Sequence, residues 1–238
     1  MSTGSFALFG KPHMIWLAIC AAGMAAAAWP AGRVSEKNAK VVSKILAILV
    51  FVFHLLETVF RIWEGTFGIG MLPLHVCAIA AYGCVIFEWL PNVPAEAALF
   101  FPCLPGDIAA VLFPDWTDYP PFSALSILGF LGHLSIACYI IFKIGRGEIF
   151  PRRKLVIFSV LFLAVYAACM IPFNRHFGTN YGFLQIPAPG SPLESIEKIT
   201  GGGISYLAGY ALLVLACMAV WYAAWIIIKR NRSRQDGT

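Results

Sequence analysis

Within long apolar stretches of this chain stand His54, Glu57, Arg61, His75, Cys77, Asp107 and His133, side chains able to move protons, hold anions or attack a carbonyl. An ionisable group in hydrocarbon is costly and marks a bundle interior or a water-filled cavity by default. His54, Glu57 and Arg61 follow i, i+3, i+7 spacing and so share one helical face, where Glu57 and Arg61 can pair. That pair is either a structural ion pair near the membrane interface or a guanidinium placed to hold a lipid phosphate. Asp107, in "CLPGDIAAV", either accepts from backbone freed by Pro105 and Gly106 or serves to orient a histidine or bind a proton. His75 and Cys77, in "LPLHVC", are two apart and point about 200° away from each other on a regular helix, so they cannot be a nucleophile and its base by themselves. His133, in "GFLGHLSIACY", is the other deep histidine besides His54, and an imidazole suits a thiol proton near neutral pH. Cys77 is thus either a small packing residue or, paired with His133, a thiolate that accepts an acyl group from an ester.

The stretches that must position these groups identify the class of protein. Of 238 residues, 60% are hydrophobic and 12% charged, with a mean hydropathy of +0.78, outside the range of soluble domains. Seven apolar runs, at about 13–30, 41–63, 71–90, 96–113, 121–144, 155–173 and 204–228, are each long enough to cross a hydrocarbon core of roughly 30 Å. The expectation is an all-α, polytopic, seven-span membrane protein in a single integral domain. The N-terminal segment lacks the basic flank and cleavage site of a signal peptide, so the first span is expected to stay. All seven cysteines fall within spans and no CxxC pair occurs, which argues against a disulfide framework and against zinc.

Thirteen cations follow spans one, five and seven: Arg33, Lys37, Lys40, Lys44, Lys143, Arg146, Arg152, Arg153, Lys154, Lys229, Arg230, Arg232 and Arg234. The other side receives four, Lys11, Arg61, Arg175 and Lys198. The bias places the N-terminus outside and the C-terminus inside, and it accounts for the net charge of +5 without nucleic acid. On this orientation the polar residues gather in the outer half, with Asn174, Asn180 and Tyr181 at the outer rim. The inner half holds only Glu88 and Glu96 near its surface. Most connections are short, but the last outer loop, "NRHFGTNYGFLQIPAPGSPLESIEKITGGG", has about 30 residues, and its aromatics and prolines suggest an ordered cap.

"PLHVC", then "PDW", a histidine in the next span, and an asparagine followed by "NYGFL" resemble, in that order and spacing, the bacterial YwaF-type seven-span membrane family. That family is distantly similar to a eukaryotic TMEM-type ether-phospholipid acyltransferase acting through a cysteine and a histidine. More remotely, it is similar to androgen-induced membrane hydrolases, which use a threonine and a histidine. The resemblance implies Cys77 as acyl-accepting nucleophile and His133 as its base, with His75, Asn174, Asn180 and Tyr181 as orienting or hydrogen-bonding residues. "CLPGD" departs from the pattern by placing an acid and a proline in span four.

The expected activity is therefore phospholipid acyl transfer or ester hydrolysis from the outer leaflet, with membrane lipids as partners and no metal or organic cofactor. A transporter, channel or small-ligand binding protein lined by His54, Glu57, Asp107 and His133 is the competing class. The apolar inner half stands against a through-path. One difficulty is depth: at 1.5 Å per residue Cys77 and His133 start about 7 Å apart along the membrane normal, so tilt or a late start to span five is required.

Overall fold

A computed structural model of the chain describes residues 5–235, with side chains described through residue 228. Among these residues eight α-helices run in order: α1 (Lys11–Ala31), α2 (Glu36–Trp63), α3 (Val76–Trp89), α4 (Val93–Leu112), α5 (Ala124–Gly145), α6 (Arg153–Phe177), α7 (Pro192–Thr200) and α8 (Gly203–Gln235). No strand occurs among the described residues. Six of the helices, α1, α2, α4, α5, α6 and α8, are long and apolar enough to cross a membrane. The third expected span yields a shorter helix of 14 residues, α3.

The reason lies in residues 64–75. Pro73 disfavours helix in the residue before it, and Leu72 and His75 are extended, with ψ of 150° and 151°. The helix expected from residue 71 begins only at Val76. Non-helical backbone at membrane depth must find its hydrogen bonds within the protein. Tyr166 of α6 donates to the Leu74 carbonyl at 3.0 Å, and Tyr181 donates to that of Ile69. Removing that second hydroxyl leaves a carbonyl without its partner, so Tyr181→Phe is expected to cost about 1–3 kcal/mol, read as a lower thermal midpoint in detergent.

Two helices form the centre. The apolar windows of α5 and α4 are 67% and 56% buried within the protein, against 6–17% for the other long helices. Helix α5 packs on α1, α2, α3 and α4, while α4 packs on α3, α5, α6 and α8. Between them lies the main core, including Phe100, Phe101, Leu104, Ile136, Tyr139 and Ile140, all 0–1% exposed. The outward faces, such as Ile45, Ile48, Val165, Leu212 and Val220, are exposed apolar surface of the kind that meets lipid. Close approach of α1 to α5 depends on Gly145, where an added Cβ would lie 2.5 Å from that of Ala31. Gly145→Val is expected to push the helices apart and destabilise the fold by about 1–3 kcal/mol, visible in the same thermal assay.

Helix α4 is continuous from Val93 to Leu112 but contains a π-helical turn at Leu99–Cys103. Pro102 and Pro105 each lack an N–H for the regular ladder, and the wider turn absorbs the interruption. All five residues of that turn are buried.

Hydrogen bonds fix which connections share an end of the bundle. At one end Arg146 binds Glu36 and the Ala31 and Val34 carbonyls, and Arg152 binds Glu96 at 2.9 Å. The opposite end carries the long loop with α7. There the N-terminal strap donates from Phe6 N to Thr117 O at 3.0 Å, and Trp16 Nε1 donates to Pro121 O at 2.7 Å. His13 completes the strap, accepting from Phe9 N at 2.8 Å and bonding the Val111 carbonyl at 3.0 Å. Lys229, Arg230, Arg232 and Arg234 have side chains outside the described ones.

The end with the arginines is less apolar than the sequence suggests. Lys143, counted above with the cations that follow span five although it falls within that run, is in the last turn of α5 and its side chain is 6% exposed. Its ammonium lies 2.7 Å from Glu88, whose carboxylate also accepts from Ser43 at 2.6 Å and Tyr139 at 3.1 Å. Glu148 reaches the same ammonium at 2.6 Å. This cluster ties α2, α3 and α5 together below the main core. It shows no orphaned carboxylate or ammonium atom, as a buried pair requires.

Candidate functional site

The two central helices carry the two groups that meet. Asp107 lies in the last part of α4, 1% exposed, and His133 lies in the middle of α5, 9% exposed. His133 Nδ1 is 2.7 Å from Asp107 Oδ1. With the carboxylate as acceptor the ring proton sits on Nδ1, so Nε2 keeps its lone pair and is the basic end of the dyad. Of the partners open to Asp107 from sequence, the one it meets is a histidine.

The imidazole is held on its other faces by aromatic packing. Trp116, from the connection between α4 and α5, stacks on it with centroids 5.4 Å apart and planes 8° from parallel. Gly129 makes this possible, because a Cβ there would lie 2.9 Å from the indole. Phe130 meets Trp116 edge-on at 5.3 Å and stacks on Trp16 of α1 at 4.7 Å. The N-terminal strap therefore braces the tryptophan that braces the histidine. In the sequence, "PDW" entered only as part of a family pattern and Trp116 had no role; its only other signal was an aromatic residue beside an acid in a short connection.

His54 approaches from α2 across Gly132, where a Cβ would lie 3.4 Å from the His54 ring. Three polar atoms around His133 are buried without a proper hydrogen bond: Asp107 Oδ2, Trp116 Nε1 and His54 Nδ1. Orphaned buried groups cost about 1–3 kcal/mol each and are scarce in folded proteins, so three around one imidazole are a local feature of this site.

Glu57 and Arg61 pair on α2, one carboxylate oxygen accepting from Nε at 3.0 Å and Nη2 at 2.9 Å. The grip is side-on, through a single oxygen, and Tyr119 also lies within hydrogen-bonding reach of the guanidinium. The ion pair expected from spacing is present.

Cys77 occupies the first turn of α3, half-buried against the main core. His75 is the N-cap of that helix but makes no capping bond. Its ring instead packs on Tyr181 at 4.9 Å and Phe183 at 5.7 Å. Helix α3 packs on both α4 and α5, which puts Cys77 on a neighbour of the two helices that carry the dyad. No hydrogen bond joins Cys77 to His133 among the described residues. The late starts of both helices, at Val76 rather than 71 and at Ala124 rather than 121, replace the depths assumed from sequence.

Asn174, Asn180 and Tyr181 hold the loop. The Asn174 side chain, fully buried, accepts from Thr179 Oγ1 at 2.8 Å and Tyr181 N at 2.9 Å and donates to Tyr181 O at 3.0 Å. Asn180 accepts from the backbone of Gln185 and Ile186, each at 3.1 Å, and donates to Ile186 O at 2.9 Å. Gly182, at φ 68°, lies under Tyr166 where a Cβ would be 2.7 Å from the ring, and Tyr206 of α8 donates to Phe183 O at 2.7 Å. These residues shape the wall against which His75 rests. No group of three or more histidine, cysteine or acidic side chains able to hold a metal occurs among the described residues.

A bundle of six membrane-length apolar helices around a buried carboxylate–imidazole pair defines a multi-pass membrane protein with an internal polar site. The chain matches the TMEM164 family over residues 8–228, nearly its whole length, and belongs to that family. No curated protein and no solved structure matches it significantly.

Proposed function

We propose that this protein is a membrane-embedded acyltransferase or lipid esterase in which Cys77 takes an acyl chain from a phospholipid and His133 serves as its base. The observation that carries the reading is the Asp107–His133 pair: a buried imidazole with its tautomer set by a carboxylate and its basic nitrogen free, on helices that pack directly against the one bearing Cys77.

The local backbone at Cys77 fits the role. The first turn of α3 has no side-chain cap, so its N–H groups lack intrahelical partners, and the positive end of the helix dipole lies beside the sulfur. These N–H groups can receive the oxyanion of a tetrahedral intermediate. In the proposed cycle the Cys77 proton passes to His133 Nε2 and sulfur attacks the ester carbonyl. The lipid alkoxide leaves with that proton, and an acyl thioester remains. A lysolipid hydroxyl or water then takes the acyl group. The YwaF-type resemblance and its link to cysteine–histidine acyl transfer support the same assignment, and the charge bias supports a site facing the outer leaflet.

The test is intact-protein mass spectrometry of detergent-purified protein after incubation with phospholipid. The expected result is a hydroxylamine-sensitive gain of one acyl chain in the wild type and none in Cys77→Ala. An adduct that persists in Cys77→Ala removes the nucleophile, and unchanged lipids with no adduct remove the enzymatic reading in favour of transport or binding.

A further inference from the structure

Asp107 Oδ2, Trp116 Nε1 and His54 Nδ1 differ in what they ask of a partner. Trp116 can only donate, an ionised Asp107 can only accept, and an imidazole nitrogen does either according to its tautomer. All three side chains bear on His133. Asp107 Oδ2 shares its carbon with the oxygen that bonds Nδ1, the Trp116 ring lies flat on the imidazole, and His54 touches α5 at the residue before it. Trp116 is otherwise packed on Phe130, and the Val50 carbonyl one turn back is the group near His54 Nδ1. Asp107 is 99% buried, so bulk solvent does not serve it.

The smallest group that answers both fixed demands is a hydroxyl, which accepts from an N–H while donating to a carboxylate. A carbonyl, an ester or a phosphate has no proton to give Asp107, and an alkyl chain satisfies none of the three. We infer that Trp116 and His54, with the free oxygen of Asp107, form a hydroxyl-binding subsite beside His133 that holds the alcohol or water to which the acyl group is passed.

The inference rests on the acyl-transfer reading and assigns the second half of the cycle. The hydroxyl oxygen attacks the Cys77 thioester carbonyl, forming the new C–O bond and breaking C–S. As the hydroxyl attacks, its one proton leaves Asp107 Oδ2, which holds it in the bound state, and turns to His133 Nε2, which returns it to the departing sulfur, so no oxidant, reductant or further reactant enters. Trp116 and His54 are positioning residues for the incoming oxygen; they do not bond the thioester.

Two measurements separate the possible sources of the hydroxyl. In the first, a Cys77→Ala background in lipid nanodiscs is titrated with a 1-acyl lysophospholipid bearing a free 2-hydroxyl and with its 2-deoxy counterpart. The hydroxyl is expected to improve binding about tenfold, and Trp116→Phe or His54→Phe, which keep the rings, to abolish that preference. The second follows decay of the acylated wild type without lysolipid. If water is the occupant, the titration shows no preference, but Trp116→Phe slows decay about tenfold. Either pattern supports the subsite. A hydroxyl preference that survives both substitutions, or no preference together with decay indifferent to Trp116→Phe, overturns it. An adduct on Cys77 with either of those results leaves acyl transfer standing without this subsite. A hydroxyl preference lost in both variants, with no adduct ever formed, leaves the subsite standing without acyl transfer.

Discussion

Asp107→Asn is expected to slow formation of the acyl-enzyme by about three orders of magnitude while leaving the fold intact. The basis is the single hydrogen bond from His133 Nδ1 to Asp107 Oδ1 at 2.7 Å. A carboxylate can only accept, so it forces the ring proton onto Nδ1 and keeps the basic lone pair on Nε2. An amide can also donate, so it permits the opposite tautomer, which has no base at Nε2. Replacing an aspartate by asparagine in the serine-protease triad lowers turnover by about 10⁴ for this reason. The shape of the side chain is preserved and Asp107 is surrounded by packed core, so thermal stability should change little beside the rate. The measurement is the rate of acyl-adduct appearance by quenched-flow mass spectrometry. A rate within tenfold of wild type, in a protein that Cys77→Ala silences, would mean that His133 does not act as the base through this pair.

The second large effect concerns stability and is independent of any activity. Lys143→Met leaves Glu88 buried against Ser43 and Tyr139 with no cation, and breaking a buried pair from one side costs about 3–5 kcal/mol. Removing both charges in Glu88→Leu/Lys143→Met should recover most of that loss, since two apolar side chains of similar volume fill the site without an uncompensated charge. Thermal unfolding of the two variants in the same detergent reads the difference. A double variant as unstable as the single one would show that the loss comes from the ammonium's contacts with Phe87, Tyr139 and Glu148 rather than from an uncompensated Glu88.

Much of this architecture is legible from residue order alone, for identifiable reasons. Membrane spans declare themselves because a bilayer demands about 20 apolar residues per crossing, and the Glu57–Arg61 pair follows from helical periodicity. Asp107 and His133 are 26 residues apart on different helices, so sequence could mark each as costly but could not decide that they meet. Trp116 was hidden by its setting: a tryptophan among prolines and acids reads as a surface turn, and only the glycine at 129 leaves it room to lie on the histidine. Lys143 was misread because the cation count treats every lysine near a span end as a loop residue, whereas this one folds back to a glutamate 55 positions earlier. The start of the third expected span was misplaced because hydropathy is blind to conformation: residues 71–75 are apolar, yet a 3-10 turn ending at Met71 and the proline at 73 keep the helix from beginning before Val76.

That apolar but non-helical stretch lies beside Cys77; Asp107 owes its place to the opposite device. The π-helical turn at Leu99–Cys103 holds one residue more than an α-turn would, and everything after it in α4 is rotated accordingly. One residue of an α-helix is worth 100° of rotation. Deleting a single position from that turn would carry the carboxylate a quarter-turn and more around the helix, off His133, without altering any side chain in the site. The pairing of acid and imidazole is thus recorded as a count of residues, and a homologous chain with one fewer there would have to carry its acid at a different place in the sequence to make the same contact.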